Sequence, residues 1–167
     1  MKKRIITVLV LLCALSLPAC ARRKDYRDDV TATLVAERIT ESLNADTDLP
    51  LRYVKDDTGF LEEYFKAPDY IADHAVFYAA STNNINEIGV YRVKEGHAEE
   101  LSALLKANYL KASLDKNGAW YDSYIPMETP KLRDAEVRVY GNYVVYAILS
   151  PKDRESAFET AEDILEK

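Results

Sequence analysis

Two runs rich in apolar residues in the middle of the chain predict a β-hairpin. His74 to Ala80 places Val76 and Tyr78 on one face of a strand, and Glu87 to Val93 returns after the turn formers 81–84. Alternation with a period of two is typical of strands, and a link this short joins antiparallel neighbours. We therefore expect the two strands to pair directly.

A second hairpin is predicted further along the chain. Residues 135–140 alternate as a half-buried strand does, whereas residues 143–149 are apolar on both faces, which indicates a central, covered strand. Gly141 and Asn142 separate the two runs. Glycine can adopt the positive φ that a two-residue hairpin turn requires.

Three longer segments repeat apolar residues every three or four positions, as amphipathic helices do. They are residues 25–43, 97–114 and 150–165, and a brief fourth helix is expected after Thr58. Asn117-Gly118 is expected to end the long middle helix, with a loop over residues 119–131. Ser150 before Pro151 is typical of a helix N-cap followed by proline in the first turn.

The order of these elements predicts the α+β class. We expect an antiparallel sheet of about four strands in ββαββα order, with the helices packed mainly on one face and an N-terminal helix before it. Residues 51–54 fit either a short strand or extended chain.

The N-terminus has the order of an export signal. Three basic residues at positions 2–4 precede an uncharged apolar run over residues 5–17, and Pro18-Ala19 leads to Cys20. A helix of that length spans roughly 20 Å, less than the ~30 Å hydrocarbon core of a bilayer. A cleaved signal is therefore a better interpretation than a permanent membrane span.

Leu17-Pro18-Ala19-Cys20 resembles the lipobox of bacterial lipoproteins. The resemblance implies a diacylglyceryl group on the Cys20 thiol and cleavage just before it. The chain would then divide into a signal peptide (1–19), a lipidated tether (20–24) and a single α+β domain (25–167), lipid-anchored on the extracytoplasmic face of the cell membrane. Ordinary secretion is the alternative, because the small residues around Cys20 also fit cleavage after Ala21.

The cysteine count agrees with lipidation. Cys13 is the only other cysteine and would leave with the signal, so the mature chain would hold one thiol and no intramolecular disulfide. Two acyl chains anchor a protein stably, whereas one chain alone is marginal.

Length and charge narrow the range of functions. The 148 residues from Cys20 onward are enough for one hydrophobic core. Loss of the three basic residues of the signal leaves 19 of the 22 against 28 acidic residues, a net charge of −9. Nucleic acid is therefore not an expected partner, because its binding needs clustered cationic side chains.

Three segments resemble the domain-of-unknown-function family 4358, a family of small bacterial lipoproteins. They are Asn86 to Glu100, the loop around Tyr124-Ile125-Pro126, and the turn from Tyr140 to Val144. The resemblance covers most of the chain after Asp25. It implies a fold and a location, and it brings no established activity and no catalytic residues.

No enzymatic motif is recognisable in the sequence. The HExxH motif, the Gly-rich phosphate loop and the GxSxG elbow are absent, and neither His74 nor His97 has a metal-ligand partner at a recognised spacing. We expect no catalytic residue, metal or cofactor. The adjacent acids Asp56-Asp57, Glu62-Glu63 and Glu99-Glu100 fit a solvated surface.

Glu87 is the most informative carboxylate, because it lies in the strand that carries the family resemblance. If its face of the sheet is covered, the carboxylate needs a partner, for which Arg92 or Arg138 is available. Otherwise Glu87 occupies an edge or solvent position.

Aromatic residues are the feature that favours binding. The chain holds 12 tyrosines and one tryptophan. They form two groups: Trp120, Tyr121 and Tyr124 in the predicted loop after the long helix, and Tyr64, Phe65 and Tyr70 around Pro68. Such side chains either cap the ends of the sheet and helices or, together with Glu87, form a ligand or partner surface.

Three functions remain open at this point. The first is a non-catalytic module that binds a protein or cell-wall component at the envelope, with the membrane as a partner through the lipid on Cys20. The alternative is a small envelope hydrolase, which predicts carboxylates converging in one pocket with raised pKa values. A purely structural role predicts no pocket of useful size.

Overall fold

The computed structural model describes residues 24–45, 47–48, 50–56 and 64–167. The predictions for the signal peptide, for Cys20 with most of the tether, and for a helix after Thr58 fall on residues outside these ranges. None of the described helices is long and apolar enough to cross a bilayer.

Within the described ranges, five strands form one antiparallel sheet in the order β1-β2-β3-β5-β4. The strands are β1 (Tyr53–Lys55), β2 (Ile71–Ala79), β3 (Glu87–Val93), β4 (Glu136–Tyr140) and β5 (Tyr143–Ile148). The helices are α1 (Ala32–Asn44), α2 (Ala98–Leu104), α3 (Lys111–Tyr124), α4 (Thr129–Arg133) and α5 (Pro151–Leu165). A π-helical segment (Leu105–Leu110) joins α2 to α3, and the three together are called the long helix below. The predicted α+β class is confirmed.

Both predicted hairpins are confirmed. β2 pairs with β3, with Tyr78 opposite Glu87, and β4 pairs with β5. Gly141 has a φ of +59° in the second turn, which is the conformation that glycine allows there. Residues 53–55 form an edge strand against β2, so the sheet has five strands rather than about four.

The sheet is covered on both faces, which differs from the expectation of helices mainly on one. α1 and α5 pack against one face, and the long helix packs against the other through Leu101, Leu105 and Tyr109. The reason lies in β5, whose six side chains are all buried. Successive side chains of a strand point to opposite faces, so β5 needs apolar cover on both.

Helix α1 begins later than predicted, at Ala32 rather than near Asp25. Thr31 is its N-cap, and the Thr31 Oγ1 accepts a hydrogen bond from the Leu34 N–H at 3.2 Å. Threonine is a favoured N-cap because its side chain satisfies an N–H group that the first helical turn leaves unpaired.

The residues before α1 lie along the end of α5. The Arg27 N–H donates to the Leu165 carbonyl at 2.8 Å, and the Lys167 N–H donates to the Asp25 carbonyl at 3.0 Å. Lys24 adds exposed ion pairs to two carboxylates of the C-terminal end. These four residues, 24–27, are called the N-terminal segment below, and they hold the two ends of the described chain side by side.

The long helix continues past its predicted end. It runs through Asn117-Gly118 to Tyr124, so residues 119–124 are helical rather than a loop, and α4 occupies part of the rest. Gly118 is buried, and it lacks the positive φ of a helix C-cap. A Cβ atom at this position would lie 3.2 Å from the Leu114 side chain of the same helix, and the glycine does not end the helix.

The middle of the long helix is wider than an α-helix. The Lys111 N–H donates to the Lys106 carbonyl, five residues earlier, as in a π-helix. The adjacent residues Tyr109 and Leu110 are both buried in this segment. Both side chains belong to the core between the long helix and the sheet.

The C-terminal helix follows its prediction. Ser150 is the N-cap of α5, its Oγ accepts from the Asp153 N–H at 3.3 Å, and Pro151 occupies the first turn. The apolar stripe of α5 is buried against the sheet, with Ala157 and Phe158 fully covered.

Candidate functional site

A pocket of about 490 Å³ opens between the sheet and the long helix, where β3 begins. At this end of the sheet α3, the last part of the long helix, packs against α4. Several elements contribute to its lining: Asp56 after β1, Tyr78 of β2, Glu87 of β3, and Tyr109 and Tyr121 of the long helix.

Two tyrosine hydroxyls hold Glu87 in this pocket. The Tyr146 hydroxyl donates to Oε1 at 2.6 Å, and the Tyr109 hydroxyl donates to the same oxygen. No residue in the described part of the chain donates to the second oxygen, Oε2. Burial raises the pKa of the Glu87 carboxyl, the two tyrosine hydrogen bonds oppose the rise, and the Asp56 charge adds to it.

The predicted arginine partners of Glu87 are wrong. The Arg92 Nη1 donates to the Asp28 carbonyl at 3.0 Å, and the Arg138 Nη2 lies 2.7 Å from the Glu155 Oε2. Both arginines lie on the face that α1 and α5 cover. Side chains alternate along a strand, so a residue an odd number of positions after Glu87 on β3 points away from it.

Gly89 makes room for Tyr146. The two residues lie directly opposite each other on β3 and β5, and a Cβ atom on Gly89 would lie 1.9 Å from the Tyr146 Cε1. Without a side chain at position 89, the Tyr146 ring lies over the β3 backbone and its hydroxyl reaches Glu87. A glycine inside a strand is typical of such a close approach.

Tyr146 belongs to a cluster of tyrosines on this face. Its ring centroid lies 5.4 Å from that of Tyr109 and 6.3 Å from that of Tyr91, and Tyr64 meets Tyr109 edge-on at 5.0 Å. Burial raises the pKa of Tyr109 and of Tyr146 well above the ordinary tyrosine value. Both hydroxyls therefore remain protonated donors to Glu87 at physiological pH.

The structure divides the first predicted aromatic group in two. Tyr121 lines the pocket, whereas Trp120 and Tyr124 are 52% and 70% exposed and stack with their ring centroids 5.0 Å apart. Trp120 also meets the Tyr121 ring edge-on at 5.5 Å. The exposed pair therefore lies on the rim beside the pocket, at the end of a helix and not in a loop.

The second aromatic group is divided between the pocket and the core. Tyr64 lines the pocket, Phe65 packs against the core under the long helix, and the buried Tyr70 stacks on His97 with centroids 4.5 Å apart. His74 stacks on Tyr91 at 5.7 Å. Among the residues that the structure describes, no three His, Cys, Asp or Glu side chains are grouped to hold a metal ion.

Ser113 and Asn117 are pocket residues that the sequence patterns did not indicate. Together with Tyr109 and Tyr121 they recur every four residues, and all four line the pocket from one side of the long helix. Ser113 is only 6% exposed, and its Oγ has no hydrogen-bond partner in the described ranges. The four-residue spacing is present in the sequence. It was not recognised because the helix was predicted to end at Asn117-Gly118, before Tyr121.

The pocket and the N-terminal segment lie at opposite ends of the sheet. Ile148, at the end of β5, lines the pocket. Tyr26 packs edge-on against Tyr140 at 5.7 Å and lies beside Gly141, in the turn that precedes β5. The length of β5 between them is roughly 17 Å, at ~3.4 Å per residue.

Replacing Gly89 with alanine should displace the Tyr146 ring and weaken its hydrogen bond to Glu87. We expect the free energy of unfolding, measured by urea denaturation, to fall by about 1–3 kcal/mol. This is the usual cost of overpacking a core. Gly118→Ala is the control, because its Cβ would lie 3.2 Å from the flexible Leu114 side chain and alanine favours helix. An equal decrease in the free energy of unfolding of the two variants would contradict the role assigned to Gly89.

The Glu87 carboxyl should make stability fall as pH rises. Its pKa is higher in the folded chain than the ordinary 4.5, so the folded state holds more protons above pH 4.5, and the free energy of unfolding decreases until the carboxyl has ionised. Glu87→Gln removes this titration and keeps an oxygen acceptor for Tyr109 and Tyr146.

Urea denaturation of both proteins across this pH range is the measurement. The free energy of unfolding of the Glu87→Gln variant should increase relative to that of the wild-type protein as the pH rises. The other titratable groups that face Glu87, Asp56 and Tyr91 among them, are present in both proteins, so the difference reports mainly on Glu87. Parallel stability curves would contradict the prediction.

One comparison with known proteins gives a match. The model of the family described as Domain of unknown function (DUF4358) matches residues 45–149, a range that contains all the strands, the long helix and the pocket residues described above. No curated protein and no solved structure matches the chain. The family match covers more than half of the sequence, and the chain therefore belongs to the family of domain of unknown function (DUF4358).

Proposed function

We propose that this protein is an extracytoplasmic lipoprotein, anchored in the cell membrane through Cys20, which binds a ligand or a segment of an envelope partner in the Glu87 pocket. The observation that carries the proposal is the pocket itself. Its volume of about 490 Å³ is in the range of small-molecule sites, and a positioned carboxyl lies inside it among aromatic and apolar side chains. A purely structural role needs no such cavity.

Residues 17–20 and the place of the N-terminal segment support anchoring. The Asp25 carbonyl accepts from the Lys167 N–H and so fixes the start of the described chain to α5. The four residue steps from Cys20 to Lys24 can span at most about 14 Å, at ~3.6 Å per residue. A lipid on Cys20 would hold this end of the sheet beside the bilayer, and the pocket at the other end would face the envelope.

The anchor is tested by the mass of the purified native protein. We expect a chain that begins at Cys20, carries the added mass of a diacylglyceryl group and sediments with membranes. Cys20→Ser is the control, because serine lacks the thiolate that accepts the lipid, and this variant should lose the acyl mass. A wild-type chain that begins after Ala21, carries no acyl mass and is found in the culture fluid would indicate ordinary secretion.

Binding in the pocket is tested by placing a photo-crosslinking amino acid at position 121. p-Benzoylphenylalanine in place of Tyr121 keeps an aromatic ring at the pocket wall, and irradiation of intact cells should attach it to an envelope component. The matched control is the same substitution at Leu34, which is 44% exposed on α1, on the other side of the sheet. The same adducts at both positions, or none at position 121, would contradict the proposal.

Repeating the crosslinking in a Trp120→Ala, Tyr124→Ala double variant distinguishes binding at the exposed aromatic pair from binding in the pocket. An adduct that survives in this variant assigns binding to the pocket alone. Loss of the adduct assigns it to a protein partner that also covers the exposed aromatic pair.

A small hydrolase is the second candidate, because Asp56 and Glu87 both line the pocket and the pKa of Glu87 is raised. A protonated carboxyl can act as a general acid, and a second carboxylate can act as a base or nucleophile. The two candidates differ in one observable. An enzyme releases a changed product, and Glu87→Gln and Asp56→Asn would each stop that release, whereas a binding module returns its ligand unchanged.

A further inference from the structure

We propose that the Glu87 pocket binds a primary ammonium group carried on an apolar stem, with the ammonium at the Glu87 Oε2 and the Ser113 Oγ. This inference rests on the proposed function, in which the pocket is the binding site, and adds the chemistry of the ligand. It is carried by the charge of the lining, by two oxygen atoms that receive no hydrogen bond from the described residues, and by the aromatic and apolar walls.

The charge of the lining selects a cation. Of the described residues that line the pocket, Asp56 and Glu87 are acidic and none is basic. Lys131 contacts the lining residue Asn86, but its Nζ is also paired with the Glu128 Oε2 at 2.8 Å. An anionic ligand would meet two like charges, whereas an ammonium favours the ionised form of the Glu87 carboxyl.

Two oxygen atoms at the site lack a donor within the described chain. Glu87 Oε1 accepts from two tyrosines while Oε2 accepts from none, and Ser113 Oγ is buried without a partner. Buried polar atoms are nearly always hydrogen-bonded in folded proteins, so Ser113 Oγ marks a place where a ligand would donate, and Glu87 Oε2 is a second acceptor in the same pocket. A primary ammonium has three N–H donors and a quaternary ammonium has none.

The walls suit a positive charge on an apolar stem. The rings of Tyr64, Tyr109 and Tyr121 line the pocket, and aromatic faces attract cations. The Lys116 Nζ already lies 5.6 Å from the Tyr64 ring centroid, so this ring contacts a cation from the protein itself. Apolar side chains available to the stem are Ile85, Leu132 and Ile148.

Calorimetric titration of the full-length protein in non-ionic detergent tests the proposal with three matched probes. Hexylamine, protonated at neutral pH, has the charge, the donors and the stem. 1-Hexanol keeps the stem without the charge, and hexyltrimethylammonium keeps the charge without N–H donors. We expect hexylamine to bind at least about tenfold more tightly than either.

Two outcomes with these probes would overturn the proposal. Equal binding of 1-hexanol would mean that the pocket is only an apolar slot. Tighter binding of hexyltrimethylammonium would mean an aromatic cage in which the two oxygen atoms accept nothing.

Substitutions locate the binding. Glu87→Gln should weaken hexylamine binding about tenfold and Ser113→Ala about threefold, the smaller loss because serine carries no charge. Glu155→Gln, on the opposite face, should leave it unchanged. Urea denaturation shows whether each variant is folded, and Ser113→Ala, which removes one oxygen atom, keeps the test decisive if Glu87→Gln does not fold. Unchanged affinity in the folded variants would overturn the proposal.

A fourth probe, Nα-acetyl-lysine methylamide, presents the same ammonium as a peptide side chain. Tighter binding of this probe than of hexylamine assigns the natural ligand to a peptide, and the reverse assigns it to a free amine. If hexylamine fails to bind while the crosslinker at position 121 still captures an envelope component, the ligand chemistry is wrong and the proposed function stands. If both fail, the pocket is not a binding site.

Discussion

The burial of β5 on both faces is the constraint on which the rest of the structure depends. Tyr143, Val145 and Ala147 point into the core under α1 and α5, and Val144, Tyr146 and Ile148 point into the core under the long helix. A strand with no side chain in water needs a layer of helix on each side. The long helix supplies one layer, and the pocket lies at the end of the sheet where α3 packs on α4.

Local patterns in the sequence predicted the hairpins, the final helix and the class, because each depends on neighbouring residues. The apolar residues on both faces of 143–149 already indicated cover on two sides, yet a one-sided arrangement of helices was expected. The end of the long helix could not be predicted in this way. Gly118 is typical of a helix end, yet it lies buried inside the helix, which ends only at Tyr124, just before α4.

The candidate site, too, could be predicted from the sequence only in part. Glu87 and Tyr121 could be selected from the sequence, but the partners of Glu87 could not, because Tyr109 and Tyr146 reach it only once β3 pairs with β5 and the π-helical segment turns inward. A glycine inside a strand indicates a close approach, but the strand alone does not show which group approaches Gly89. It matters because it lies opposite a tyrosine whose ring occupies the space of its missing side chain.

The pairing of the N-terminal segment with α5 decides how a mechanical load would enter the fold. Tension applied at Lys24 reaches first the backbone bonds that join Arg27 to Leu165 and Lys167 to Asp25. Part of it passes to α5, and part reaches the sheet directly, because Tyr26 packs against Tyr140 and Arg92 donates to the Asp28 carbonyl. A pull on Lys24 would therefore load the joined termini and the near end of the sheet first, whereas Glu87 lies at the far end of β5.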